Sequence, residues 1–253
     1  MKYYRDLANL GVFRFKEASH LIGSDIATSK YLENMISRKI VKRIRRDLYT
    51  CVDLATSENV ADRYQIGSHI STDSFILGHT AFEFYGFYNQ VFNEVQVGSA
   101  KRFQDFAFDS LRFRYFLSCS DCQVIDLKGA RITSLERTVI DSINSLGKVM
   151  DCEELVKCLQ LIPILDEGRL REMLVTYDKD VLYRKTGYLL SFFKKEFRLS
   201  DDFFAFCHSH SRSNTNGSLS SHENQKLTFI PAWHLYAYED PTLLATKGGD
   251  LDV

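Results

Sequence analysis

The sequence has neither a long hydrophobic run nor a dense set of cysteines. No stretch approaches the roughly 18 consecutive apolar residues that a membrane-spanning helix needs. The first residues, Met1 to Asp6, lack the apolar core of a secretory signal. Six cysteines in 253 residues fit reduced, mostly buried thiols better than a disulfide framework. We therefore expect a cytoplasmic protein that has no membrane partner.

Common catalytic and cofactor motifs are also missing. The chain has no G-x-S-x-G nucleophile motif and no glycine-rich loop of the Walker or dinucleotide-binding type. Cys119 and Cys122 form a CxxC, but structural zinc needs two more ligands at a recognisable spacing. The nearest histidine pair, His208 and His210, lies far along the chain. We predict no catalytic residue, no metal site and no cofactor, and hence a protein that is not an enzyme.

Net charge is nearly absent from the whole chain but is unevenly distributed. The totals are 32 Lys and Arg against 33 Asp and Glu. Residues 1–50 contain 11 of these cations and 5 of these acids, so they carry +6, and the other residues carry 21 against 28, or −7. The run from Arg38 to Arg46 holds six cations and no acid. A concentrated positive surface on a neutral protein is typical of proteins that bind phosphate backbones.

Three short helices are predicted at residues 3–10, 15–21 and 25–37, with a tight turn at Ile22 to Ser24 before the third. This layout is typical of a helix-turn-helix. The predicted buried stripe of the third helix consists of Ile26, Ala27, Tyr31, Leu32, Met35 and Ile36. Its predicted exposed face consists of Thr28, Ser29, Lys30, Glu33, Asn34 and Ser37. Small hydroxyls, an amide and a lysine suit contact with base edges in a major groove.

A hairpin is predicted from Ile40 to Val52, where a winged helix has its wing. After it, helices are predicted at residues 61–69 and 74–85, and strands at 91–97, 103–108, 111–117 and 122–127. Further helices begin near residues 134, 151, 166, 180 and 200, and a last strand covers 227–238. The predicted fold class is α+β. A winged helix-turn-helix occupies residues 1–55, and residues 60–253 form a domain with a small, mostly antiparallel sheet and several helices.

The serial order of several motifs resembles the AbiEi family of antitoxins and transcriptional regulators. The segment Arg43–Tyr49 is similar to the wing of that family, which usually has Gly at the position of Asp47. Asp tolerates turn conformations. Ser74–Gly86 is similar to the helix that opens the family's second domain, and Arg184–Leu190 resembles its Gly-Tyr-Leu-Leu element. The family's Glu-Arg-Thr…Asp motif is matched by Glu136, Arg137, Thr138 and Asp141.

This resemblance implies a repressor of its own operon that binds double-stranded DNA at promoter inverted repeats. It also implies neutralisation of a partner toxin that resembles a nucleotidyltransferase. We expect a monomer or weak dimer that is paired on DNA. The residues expected to contact bases or adjacent phosphates are Thr28, Ser29, Lys30 and Asn34. The residues expected to contact phosphates are Arg38, Lys42, Arg43, Arg45 and Arg46.

Three alternatives stay open. The chain is a stand-alone regulator without a toxin, a metal-dependent nuclease, or an interaction protein whose basic patch binds an acidic partner. The nuclease reading rests on Glu136 and Asp141, two carboxylates beside Arg137. We favour a structural interpretation of this motif, as a buried polar brace, because no second cluster of catalytic residues accompanies it.

Overall fold

The structure is a computed structural model that describes residues 2–88, 92–118, 120–148, 150–211, 215–220 and 227–245. It confirms the α+β fold class, since helices and sheets are both well represented. The chain forms two compact units. The first comprises the described residues within Met1–Ile76 and Phe92–Ile132, and the second those within Leu77–Val91 and Thr133–Val253. The domain division predicted at residues 55–60 falls inside the first unit and stays a prediction.

The first unit begins with a winged helix-turn-helix. Gly23 ends the second helix with φ 91°, a left-handed conformation that glycine adopts without strain. The third helix occupies the predicted range of residues 25–37. The helices are α1 (Tyr4–Asn9), α2 (Phe15–Ile22) and α3 (Asp25–Ser37). The strands are β1 (Val12–Phe13), β2 (Val41–Arg45) and β3 (Leu48–Cys51).

The wing of this module is the hairpin of β2 and β3, which belongs to a three-stranded antiparallel sheet. Strand β3 lies in the middle and pairs with β1 on one side and β2 on the other. The short strand β1 was not predicted from the sequence. The sheet and the helices enclose one small core, whose members include Leu7, Phe13, Leu32 and Met35. This core fixes which side of α3 faces inward.

A six-stranded sheet completes the first unit. The helix and strands are α4 (Arg63–Ser68), β4 (Phe75–Ile76), β5 (Glu94–Ser99), β6 (Phe106–Phe108), β7 (Leu111–Leu117), β8 (Val124–Leu127) and β9 (Ala130–Thr133). The strand order in the sheet is β6-β7-β5-β4-β9-β8. Strands β5 and β7 run parallel, as do β4 and β9, whereas β4–β5 and β6–β7 are antiparallel. The sheet is therefore mixed rather than mostly antiparallel.

Two details of this sheet differ from the sequence prediction. Phe75 and Ile76 were assigned to a helix but form β4, because both side chains are buried in the middle of the sheet. Strand β6 lies on the far side of β7 from β5, so the chain crosses over and β7 runs parallel to β5. The predicted turn at Lys128 and Gly129 is present, and both residues have positive φ.

Asp73 fastens the ends of two strands in the sheet. Its carboxylate accepts hydrogen bonds from the backbone N–H of Ala100 at 2.8 Å and from the hydroxyl of Ser71 at 2.8 Å. The backbone N–H of Lys101 donates to it as well, at 3.2 Å. Partial burial alone would raise the pKa of Asp73, but these hydrogen bonds outweigh it and lower the pKa to about 2.

The second unit is mainly helical. The helices predicted to begin near residues 134, 151, 166 and 200 are present, and at each start the side chain of Ser134, Asp151, Asp166 or Ser200 accepts a hydrogen bond from a backbone N–H in the first turn. The helices are α5 (Gly78–Phe84), α6 (Leu135–Asn144), α7 (Cys152–Leu161), α8 (Glu167–Tyr177), α9 (Asp180–Ser191) and α10 (Asp201–Ser209). A small sheet contains β10 (Gly217–Ser218), β11 (Thr228–Ile230) and β12 (Leu235–Ala237).

Close packing in the second unit centres on a glycine of α9. A Cβ atom added to Gly187 would lie 2.1 Å from the ring of Trp233 and 3.1 Å from Cβ of Cys207. The indole cannot retreat freely, because it also stacks on the His208 ring with 3.7 Å between ring centroids. Position 187 thus requires glycine for its lack of a side chain.

Candidate nucleic-acid interface

Helix α3 exposes most of the predicted polar face, but its first turn differs from the prediction. Successive residues of an α-helix are rotated by about 100°, so Ile26 and Met35, nine positions apart, lie about 180° from each other. Met35 is buried in the core, and Ile26 is 74% exposed. The prediction that Ile26 and Ala27 belong to the buried stripe is therefore wrong, because residues on opposite sides of a helix cannot form one stripe.

Thr28 is predicted to be exposed, but it is buried. It is 0% exposed and lies on the buried side with Leu32 and Met35, at helical spacing of four and seven residues. Its hydroxyl donates to the carbonyl oxygen of Ser24 at 2.7 Å, which satisfies the polar group inside the helix. Thr28 cannot contact a base from this position, and it is removed from the candidate interface.

Six of the nine predicted contact residues are exposed. On α3 these are Ser29, Lys30 and Asn34, and Arg38 follows at the helix end. On the wing, Arg43 and Arg46 are exposed. The wing hairpin directly follows α3, so these cations and the polar face of that helix belong to one small module. The module can therefore offer hydrogen-bond donors and positive charge to the same ligand.

Lys42 is held by a carboxylate of the same unit. Its ammonium Nζ lies 2.8 Å from Oδ2 of Asp109, in the turn between β6 and β7. The amide Nδ2 of Asn59 donates to the same oxygen at 2.9 Å. Burial alone would raise the pKa of Asp109, but these two donors outweigh it and lower the pKa. Lys42 thus differs from the prediction, because its charge is already paired.

Arg45 is held by aromatic rings of the same unit. Its guanidinium carbon lies 5.2 Å from the ring centroid of Phe106 and 5.7 Å from that of Phe103. Burial lowers the pKa of Arg45, and the nearby Arg14 lowers it further. Within the described part of the chain, its Nη1 is buried without a hydrogen-bond partner. Arg45 thus fastens the wing to the six-stranded sheet, and its contact with a phosphate stays a prediction.

Asp47 shapes the tip of the wing. It has φ 58°, so it adopts the left-handed conformation for which glycine is the usual residue. Its Oδ1 accepts a hydrogen bond from the backbone N–H of Phe15 at 2.9 Å, and its Oδ2 lies 3.9 Å from Nη1 of Arg14. Phe15 is the first residue of α2. The aspartate therefore forms the turn and also ties the wing to the start of α2.

Two exposed residues of this surface were missing from the predicted contacts. Lys39 is exposed at the end of α3, with φ 57° and its backbone N–H bonded to the carbonyl of Ile36. The signal was present, since Lys39 belongs to the basic run. The other residue is Ile26, which an accurate helical projection of α3 places on the exposed side.

The Glu-Arg-Thr…Asp motif lies in the second unit and forms internal contacts. Nε of Arg137, a fully buried residue, donates to Oδ2 of Asp141 at 3.3 Å, and the Tyr177 hydroxyl also donates to Asp141. Burial raises the pKa of Asp141, although Arg137 and Tyr177 oppose this. Glu136 accepts from the backbone N–H of Asp166, the cap of α8, at 3.0 Å. Thr138 donates to the Ser134 carbonyl at 2.7 Å.

In the described ranges, no three or more His, Cys, Asp and Glu residues cluster in a way that could hold a metal ion. Of the CxxC pair, Cys119 lies outside the described residues, and Cys122 is half-buried. None of the helices described here combines the length and apolar content needed to cross a bilayer.

Comparison with known proteins identifies a shared fold. No family model matches the chain, and no curated protein matches it. Among solved structures, the crystal structure of the RV2827C protein from Mycobacterium tuberculosis is similar, with a TM-score of 0.64 and 11% sequence identity. The match covers 97% of this chain and 94% of that chain. At this level of identity, the similarity concerns the fold alone.

Proposed function

We propose that the protein is a DNA-binding transcriptional regulator. One observation carries the proposal: an exposed polar face of α3 is followed at once by exposed Arg38, Lys39, Arg43 and Arg46 on a winged helix-turn-helix. In such modules the second helix of the motif enters the major groove, and positive side chains around it bind phosphates. The charge of +6 on residues 1–50 of an otherwise acidic chain also favours binding to DNA, which is negatively charged.

The residues divide into two roles. Ser29, Lys30 and Asn34 lie on the exposed side of α3, where hydroxyl, ammonium and amide groups can reach base edges. Arg38, Arg43 and Arg46 supply phosphate affinity that depends on salt but not on sequence. We assign Lys42 and Arg45 a lesser part, because Asp109 and the two phenylalanine rings already hold them.

The direct test is binding to duplex DNA from the chain's own upstream promoter, measured by fluorescence anisotropy at several salt concentrations. Arg43→Ala and Arg46→Ala should each reduce the slope of log K against log salt by about 0.9. Asn34→Ala should weaken promoter binding more than binding to scrambled DNA. Lys157→Ala with Lys195→Ala, two exposed lysines of the second unit, is the matched control and should leave the slope unchanged. Equal affinity for promoter and scrambled duplex, with no effect of the wing variants, would refute the proposal.

We further propose that the protein acts in the cytoplasm, that it represses its own operon as two copies on inverted repeats, and that it counteracts a nucleotidyltransferase-like toxin. The resemblance to AbiEi proteins supports this part. The test is co-expression with the neighbouring open reading frame. Growth arrest by the neighbour alone, relieved by this chain, is the expected result. A neighbour that has no effect on growth would instead support a stand-alone regulator.

A further inference from the structure

Ile26 is an exposed apolar side chain at the centre of a polar helix face. Measured around the axis of α3, Lys30, Glu33 and Ser37 all lie within about 40° of Ile26. All three are exposed, and Ile26 itself is 74% exposed. The described hydrophobic core of the module does not include it. An isoleucine left in water on such a face gains nothing for the folded chain by itself, since hydrophobic stabilisation requires burial.

The surroundings of Ile26 restrict what can cover it. The residues nearest to Ile26 around the helix axis are a lysine, a glutamate and a serine, so polar side chains flank it on this face of α3. Exposed cations follow at the end of α3 and on the wing, including Arg38, Lys39 and Arg43. On α3 itself the exposed charged residues near Ile26 are Asp25, Lys30 and Glu33, so the positive charge of the module comes from residues farther along the chain. Under the proposed function the ligand that covers Ile26 is DNA, and it must present an apolar group to this side chain.

The major groove of DNA has one such group. The C5-methyl of thymine is the apolar feature on the major-groove edges of base pairs, and small apolar side chains contact it. Ile26 is the second residue of α3, and the N-terminal residues of a recognition helix are those that reach base edges. We infer that Ile26 packs against a thymine methyl and makes the protein prefer A·T at that position. This inference rests on the proposed DNA-binding function.

The experiment first recovers the operator by selection from random duplexes with the full chain. Each thymine of the recovered site is then replaced singly by deoxyuridine, which removes only the methyl group. At one thymine per half-site, the change should weaken wild-type binding about fourfold, the value of one buried methyl-sized group. Ile26→Ala should lose at least as much on the thymine duplex, yet lose nothing further when that thymine is deoxyuridine.

Leu117→Ala is the matched control, since Leu117 is 71% exposed on β7 of the same unit. It should bind like wild type on every duplex. If Ile26→Ala weakens binding equally on thymine and deoxyuridine duplexes, or on none, the inference is overturned while the DNA-binding function stands. If selection recovers no preferred duplex, the proposed function fails and the inference fails with it. Thermal melting confirms that each variant is folded.

Discussion

The pairing of Lys42 with Asp109 predicts a variant that binds DNA more tightly. In Asp109→Asn, the carboxylate 2.8 Å from Nζ of Lys42 becomes neutral, and the ammonium is released for a phosphate. Asparagine is the suitable replacement for two reasons. Position 109 has φ 50°, a conformation that Asn tolerates well. Its side-chain oxygen can still accept the hydrogen bond that Asn59 donates.

The expected size of the effect follows from counterion release. One added phosphate contact should steepen the slope of log K against log salt by about 0.9, which corresponds to about eightfold tighter binding at 0.1 M salt. The free energy of unfolding should fall by only about 0.2–1 kcal/mol, the usual range for an exposed ion pair. Stability and affinity are therefore predicted to change in opposite directions.

The assay is anisotropy with promoter duplex across a salt series. Two variants separate local release of Lys42 from a general change in charge. Asp126→Asn removes an exposed carboxylate from β8 of the same unit and should give little gain in affinity. Asp109→Asn combined with Lys42→Ala should lose the gain entirely. If Asp109→Asn leaves both slope and affinity at wild-type values, Lys42 does not face the DNA and the wing geometry has been misinterpreted.

Three further predictions concern single positions. Lys39→Gly should raise the free energy of unfolding by about 0.5–1 kcal/mol, because it relieves a left-handed φ, and it should also reduce the salt slope of DNA binding. Lower stability in a denaturant titration would contradict the first expectation. Gly187→Ala should cost about 1–3 kcal/mol by overpacking against Trp233, the single tryptophan, whose fluorescence reports the unfolding; a wild-type midpoint would show that the ring can move. Asp73→Asn should lose about 1–2 kcal/mol at pH 7. That loss should shrink as the pH falls from about 5 towards 2, because the stabilisation from a carboxyl with a lowered pKa is present above its unfolded pKa and disappears on protonation in the folded state. A difference that stays constant over this range would exclude the carboxylate as its source.

Local signals in the sequence were sufficient for much of the fold. The ends of α3 and the caps at Asp151, Asp166 and Ser200 depend on residues within one helical turn, so they could be read directly. The parallel pairing of β5 with β7 could not, because alternation of apolar and polar residues is the same in either direction.

The candidate site was predictable in position but not in detail. The basic run and the helix before it were found from composition and spacing. The sequence places Thr28 on the wrong side of α3, because its hydroxyl is satisfied by its own helix and a polar residue there is compatible with the core. The partners of Lys42 and Arg45 lie about 60 residues away in sequence, and only the folded chain brings them together.

Asp47 has a consequence for the energetics of recognition. Many basic loops are flexible until a ligand orders them, and the entropy lost in this ordering lowers the affinity. Here Asp47 forms the turn at the tip of the hairpin, and its carboxylate accepts a hydrogen bond from the first turn of α2. This contact holds the tip in the unbound protein, so we expect the arginines beside it to need less ordering on binding. A glycine at the same place would preserve the bend but would lose these contacts and one negative charge, so the hairpin would be more positive and less firmly held.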